Sequence, residues 1–205
     1  MKRAVAPQPH RGAARARRRA PADTPPPRAR RVLLIIDFIN PLDFEGAEEL
    51  AEPAIDAAHA TAGLRRDLCE QGVPVVYVND NFGHWQSDFA GLTARCRKMG
   101  GPAAALVRRI APSSGDLTVL KPRHSAFHQT PLELLLTQMG ARELVITGLA
   151  TDLCVQFSAM DAFVRGYKLW VPEDCTAAQN PERKRAALDW MALALRSRTT
   201  AAAAG

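Results

Sequence analysis

The sequence predicts an α/β fold: a three-layer α/β/α sandwich around a central parallel sheet, Rossmann-like in outline. Three observations point there. Apolar runs recur along the chain and are continuous rather than alternating, as in strands buried on both faces. Helix-like stretches with their own start and stop residues separate these runs. The connections are long enough for the crossover helices that parallel strands need. No internal repeat and no second domain is visible, and the length suits one domain with a substantial core.

The elements follow in order. RVLLIIDF is a first strand ending at Asp37, followed by the turn region NPLDFEG. A helix is expected from Ala47 to Gln71, stopped by Gly72. PVVYVND is a second strand ending at Asn79 and Asp80. Residues 81–116, rich in Gly, Trp and Phe, are expected to be loops with one or two short helices. DLTVLK is a third strand, ending at Lys121. TPLELLLTQMG reads as a helix with Thr130 as N-cap, Pro131 in the first turn and Gly140 as stop. ELVITG is a fourth strand, TDLCVQFSAMDAFVRG a helix, YKLWVPED a fifth strand and 180–196 a last helix.

Charge is distributed unevenly. Residues 1–31 hold ten basic residues against one acid, so this tail carries +9 of a net +6 and leaves the body at −3. An Arg/Ala/Pro composition with little to bury predicts a disordered extension over 1–31, with weak nonspecific binding to nucleic acid or an anionic surface, or an organelle-targeting peptide that lacks serine, as the other readings. The folded domain is expected over 32–198, with 199–205 frayed. No apolar run approaches a membrane span, and the tail lacks the apolar segment of a secretory signal. Four cysteines without CxxC spacing suggest neither a zinc ribbon nor a disulfide framework, and a reducing cytoplasm is the simplest compartment. Cys69 and Cys175 read as packing residues, and Cys96 is left unassigned.

Ligands of open α/β sheets bind beyond the carboxyl ends of the strands. Three reactive groups fall there: Asp37, Lys121 and, just past strand four, Cys154. Each has a plain structural role available: a cap for the aspartate, a solvated lysine, a small core residue for the cysteine. Together they form a chemically sensible set. A helix start lowers a thiol's pKa, a carboxylate accepts its proton, and an ammonium stabilises the negative species.

The stretches VLLIIDFINPLDF, LKPRHSAFHQTPLELLL and ELVITGLATDLCVQFSAMDAFVRGYKLWVPEDCTAA carry a resemblance. In this order they look like the isochorismatase-like cysteine hydrolase superfamily, which includes nicotinamidases, N-carbamoyl amide hydrolases and isochorismatases. The likeness runs from about Val32 to Asn180. It implies Asp37 as general base, Lys121 as the completing lysine and Cys154 as nucleophile. It also implies a non-proline cis peptide between Leu149 and Ala150, aiming the Ala150 N–H with the Cys154 N–H at a developing oxyanion. The implied route is attack by sulfur on an amide-type carbonyl, departure of the amine with help from Asp37, and hydrolysis of the thioester by water that Asp37 activates. The alternatives are vinyl-ether hydrolysis of an isochorismate-type substrate, and a non-catalytic binding protein on the same fold. The cysteine favours C–N cleavage.

Two departures stand out. Phe38 and Ile39 replace the family's Met-Gln after the aspartate, which alters packing beside the base. Nicotinamidases in this group hold a metal with an Asp-x-His and a further His, whereas Asp80 is followed by Asn81 and Phe82, with His84 alone. No metal and no cofactor are therefore expected. Phe44, Asn79, Phe82, Trp85 and Phe127 are the candidate pocket residues, because loops after the first three strands carry them; packing of loops or a subunit interface is the competing role. His124 and His128 could contact substrate or face solvent. The expected partners are a small-molecule substrate and further copies of the chain as a homo-oligomer, without a membrane and without specific nucleic acid.

Overall fold

The computed structural model describes residues 25–202. The elements run β1 (Arg31–Ile36), α1 (Ala47–Glu70), β2 (Val75–Asp80), α2 (Phe89–Met99), α3 (Gly101–Ile110), β3 (Leu117–Lys121), α4 (Leu132–Met139), β4 (Glu143–Leu149), α5 (Gln156–Val164), β5 (Lys168–Trp170), β6 (Thr176–Ala177) and α6 (Pro181–Ala194). A π-helical turn, Thr151–Val155, joins β4 to α5. The sheet has the order β3-β2-β1-β4-β5, with β6 also on β4, and every pairing is parallel.

The continuous apolar strands divide their side chains between two cores, as their pleat requires. Leu33, Ile35, Tyr77 and Val145 face the layer of α1, α2 and α3. Val32, Leu34, Ile36, Val76, Val78 and Ile146 face α4, α5 and α6. Alternation of polarity is absent because both faces are covered.

Three differences from expectation have physical causes. Residues 81–116 hold two helices, as allowed for, but α2 and α3 are longer than the short ones expected and meet at Gly100 and Gly101, both at positive φ. Asp88 caps α2 through Gly91 N at 2.6 Å, and α3 buries Ala103, Leu106, Val107 and Ile110. Strand β6, only two residues long, lies within a stretch too short to show a period. At α4 the Thr130 hydroxyl does accept from Leu132 N at 3.3 Å, but Pro131 is the cap residue.

The chain ends also depart from their predicted bounds. Ala29 N donates to Met139 O at 2.9 Å, and Arg31 opens β1 and pairs with Glu143 at 2.9 Å, so order begins before residue 32. The predicted tail over 1–24 lies outside the described residues. At the other end, Arg198 lies against β5, with Val171 N donating to Arg198 O at 2.8 Å and Arg198 N to Leu169 O at 3.1 Å. Trp170 Nε1 donates to Thr200 O at 3.0 Å, and Ala202 N to Asp174 Oδ1 at 2.7 Å. Residues 199–202 are thus tied down rather than frayed; 203–205 lie outside the described residues. No helix among the described residues is long and apolar enough to cross a membrane.

One glycine sets the central register. Gly148 of β4 pairs with Ile36 of β1 and has φ +134°, and a Cβ there would come 2.1 Å from Ile36 O. Only glycine permits this approach. It seats the end of β4 directly against the end of β1, where Asp37 begins.

Candidate active site

Beyond the carboxyl edge of the sheet the ends of β1, β2, β3 and β4 converge. Asp37 follows β1 with φ +53°, a left-handed turn that carries its side chain off the strand path. Asp80 and Lys121 end β2 and β3 as register partners. Cys154 sits in the π-helical turn after β4, and the Leu149–Ala150 peptide before it is cis.

These residues meet. Lys121 Nζ lies 2.7 Å from Asp37 Oδ2, 3.1 Å from Arg123 O, 3.4 Å from Asp80 Oδ2 and 3.5 Å from Cys154 Sγ. Asp80 N donates to Asp37 Oδ1 at 2.6 Å, so both Asp37 oxygens are held. The Asp37 carboxylate acts electrostatically on the sulfur as well. Burial of this order without partners would expel a charge from the fold; here each charge has one.

The electrostatics follow from burial and mutual pairing. Burial raises the Asp37 carboxyl above the ordinary carboxylate range, against the pull of Lys121. Burial alone would lower Lys121, but Asp37, Cys154 and Asp80 attract its charge strongly enough to raise it, so it stays an ammonium. Burial first, and then the Asp37 charge, push the Cys154 thiol well up, with Lys121 opposing. Desolvation and the adjacent carboxylate act against the lowering expected of a helix start. Burial and the neighbouring carboxylate thus favour the thiol form of Cys154.

A cavity of about 230 Å³ opens on this cluster. Asp37, Cys154, Leu149, Ala150, Phe44 and Phe82 line it. His124, at its exposed mouth, places Nδ1 3.7 Å from Cys154 Sγ and tilts its ring against Phe157. The loop that carries His124 is fixed to the Cys154 turn by one hydroxyl. Ser158 Oγ accepts from Ala126 N at 2.9 Å and donates to Cys154 O at 2.6 Å.

Three candidate pocket residues lie elsewhere. Asn79 is wholly buried and braces the turn after β1, donating to Ile39 O at 2.8 Å and accepting from Ile39 N at 3.2 Å. Phe127 packs in the core between Tyr167 and the Arg165 guanidinium, because the turn at 125–128 points it inward. Trp85 is 78% exposed and lines a separate surface groove with His84 and Arg95. His128 is exposed. Cys69 is exposed rather than packed, whereas Cys96 and Cys175 are buried. Asp80, the second carboxylate on Lys121, was missed, although the rule that singled out Asp37 applies equally to the last residue of VVYVND.

A metal set of the nicotinamidase type does not fit these residues. Asp80 has one oxygen on Lys121 Nζ and accepts from Phe82 N at 2.7 Å with the other. His84 Nε2 instead faces Arg95 at 2.7 Å, outside this cavity. Among the described residues no three His, Cys, Asp or Glu side chains converge as a metal site.

Parallel α/β/α layers with a thiol, a carboxylate and an ammonium meeting at the sheet's carboxyl edge define the class of protein. Similarities to known proteins narrow it. Residues 31–203 match the Isochorismatase domain. The chain is 35% identical over 164 residues to the isochorismatase family protein YaaI of Bacillus subtilis, covering 80% of this chain and 90% of that one. A segment of 83 residues is 42% identical to the ureidoacrylate amidohydrolase RutB of Enterobacter sp., covering 40% of this chain and 36% of that one. The crystal structure of nicotinamidase PncA from Bacillus subtilis superposes with a TM-score of 0.65 at 25% identity, over 84% of this chain and 100% of that one. The chain belongs to the isochorismatase family and is a hydrolase of that family.

Proposed function

We propose that the protein is a cysteine hydrolase that cleaves the C–N bond of a small carboxamide or N-carbamoyl substrate through a thioester. The observation that carries this reading is the meeting of Cys154 and Asp37, which line a small cavity, with the buried Lys121. Similarity to proteins named as a ureidoacrylate amidohydrolase and a nicotinamidase supports a C–N bond as the target. The cavity volume supports a small substrate.

In this mechanism Asp37 takes the thiol proton as Sγ attacks the carbonyl carbon. The oxyanion is held by the N–H groups of Ala150 and Cys154. Collapse breaks the C–N bond, and Asp37 returns the proton to the leaving nitrogen. Lys121 keeps its charge throughout, holding Asp37 in place and stabilising negative charge at sulfur. Water then cleaves the thioester and frees the acid and the thiol.

A reducing compartment such as the cytoplasm belongs to this reading, since Cys154 must stay a thiol and all the cysteines are unpaired. So does self-association, which the exposed Phe157, Met160 and Phe163 of α5 support. The test is a panel of small amides and ureido compounds, read as ammonia release. Hydrolysis by the protein and its loss in Cys154→Ala are expected; undiminished hydrolysis by that variant overturns covalent catalysis.

A further inference from the structure

The cavity beside Cys154 offers a ligand hydrogen-bond acceptors and hydrocarbon. Asp37 and Asp80 both line it, and the Asp80 side chain is 24% exposed. Their shared counter-ion, the Lys121 ammonium, is 0% exposed, so two carboxylates and one buried cation leave this wall net negative. Phe44, Phe82, Leu50 and Leu153 supply carbon around it. Among the described residues no arginine lines the cavity; Arg123, next to His124, donates to Pro122 O at 3.4 Å. His124 faces the sulfur through Nδ1 at 3.7 Å, at the reacting end.

Gln179 adds a neutral acceptor. Its Nε2 donates to Glu45 O at 3.2 Å and to Gly46 O at 2.9 Å. Two carbonyl partners settle which end of the amide is nitrogen, and they use both of its N–H groups. Oε1 is the opposite end, and it accepts no hydrogen bond among the described residues. Gly46 makes room for this seat: at its φ of +76° a Cβ would fall 2.5 Å from Gln179 Nε2. Asn40, the cavity's other amide, is 6% exposed and turned onto its own loop, donating to Asp37 O and accepting from Leu42 N. Asp80 is held by Lys121 and Phe82 N, but a carboxylate has lone pairs to spare after two such bonds.

We propose that this cavity selects an uncharged carboxamide or urea that presents N–H groups and rejects one that carries a carboxylate, with Gln179 as the specificity-determining residue. This rests on the C–N hydrolase reading above and names its substrate class: N-carbamoyl amines rather than N-carbamoyl amino acids. The scissile carbonyl meets the Ala150 and Cys154 N–H groups, as in that mechanism. The substrate's own N–H groups meet Asp80 and Gln179 Oε1, and its carbon lies against Phe44 and Phe82. A carboxylate in the same place would exchange its water for like charges and a carbonyl oxygen.

Iodoacetamide and iodoacetate test this, because they deliver the same carbon to the same thiol and differ only in amide against carboxylate. Both are applied to the full-length wild-type protein, and the Cys154 peptide is resolved by mass from that of the exposed Cys69. With the neutral thiol N-acetylcysteinamide as reference, Cys154 is expected to favour iodoacetamide by about 10- to 100-fold, as like charges a few ångström apart dictate. Gln179→Arg keeps donors for the Glu45 and Gly46 carbonyls and adds a cation, so iodoacetate should gain about 10-fold. Gln179→Met should slow iodoacetamide alone, whereas a merely loosened Phe44 turn would change both reagents alike. Propylurea should release ammonia faster than N-carbamoylglycine. Equal treatment of the two reagents by wild-type Cys154, an unchanged ratio in both Gln179 variants, or faster hydrolysis of N-carbamoylglycine overturns the inference. The thioester is tested apart from this: undiminished hydrolysis of propylurea by Cys154→Ala refutes covalent catalysis and leaves the wild-type reagent ratio as it was.

Discussion

Lys121 Nζ and Asp37 Oδ2 are 2.7 Å apart, with side chains 0% and 5% exposed, so a full ion pair is sealed beneath the reactive sulfur. The pair closes the sheet's carboxyl edge between β1 and β3, which are not neighbours, and it spans the end of β2 to do so. Fold stability and thiol chemistry therefore depend on the same contact.

Removing one member should be costly. Lys121→Met leaves Asp37 buried without its counter-ion, a loss of about 3–5 kcal/mol. Asp37→Asn combined with Lys121→Met should recover part of this, because no charge of the pair is then stranded. Denaturant unfolding measures both. Strictly additive losses in the double variant would mean that the two side chains are not coupled in the fold.

Thiol reactivity and turnover should move in opposite directions in Asp37→Asn. The carboxylate raises the Cys154 thiol, so its neutralisation leaves Lys121 to favour the thiolate. Alkylation by iodoacetamide near neutral pH should accelerate while amide hydrolysis disappears. Mass analysis of the Cys154 peptide is required, since Cys69 is also exposed. Slower alkylation of Cys154 in the variant would contradict the assigned role of Asp37.

Stability should decline under alkaline conditions. Burial pushes Cys175 up to about 12 and Cys96 to about 11, and raises Cys154 as well. The unfolded thiols ionise at about 8.5, so from there upward the unfolded state binds fewer protons and is favoured as pH rises. Lys121, raised in the fold, adds a loss of the same sign above about pH 10.4. Melting temperatures in reductant should fall from about pH 8.5 upward, less steeply in Cys154→Ala. A flat profile through this window would show that the buried thiols do not stay protonated.

Gly148→Ala should be among the most damaging small substitutions. Its Cβ meets the backbone at Ile36 O, at a φ of +134°, and neither strand can yield without shifting Asp37. A loss of about 3 kcal/mol or more is expected from thermal unfolding. Wild-type stability would indicate that β1 and β4 separate easily at this point.

Much of this architecture is legible in the residues. RVLLII, VVYVND and ELVITGL are apolar on both faces, which only a covered parallel sheet explains, and Asp37, Lys121 and Cys154 fall at strand ends where such sheets place their chemistry. Pocket walls were less readable. Phe44 and Phe82 line the cavity, but Phe127 looks the same in sequence and is turned into the core by the Ser125 turn. Asn79 closes a strand next to Asp80, yet alternation sends its amide to brace Ile39 and not to the site. The thiol's raised pKa was also hidden, because burial by the folded chain and, after it, a carboxylate 117 positions earlier set it. Such properties depend on which strands become neighbours, and local residue type does not record that.

The main-chain contact of Arg198 with β5 has a practical consequence. β5 would otherwise be the sheet's open margin, presenting free N–H and C=O groups to any passing strand. Val171 N and Leu169 O are instead satisfied by Arg198, and Trp170 is covered by the Arg198 guanidinium at 3.7 Å. A chain cut before Arg198 would uncover that margin and invite edge-to-edge aggregation, so affinity tags and truncations belong at the opposite terminus.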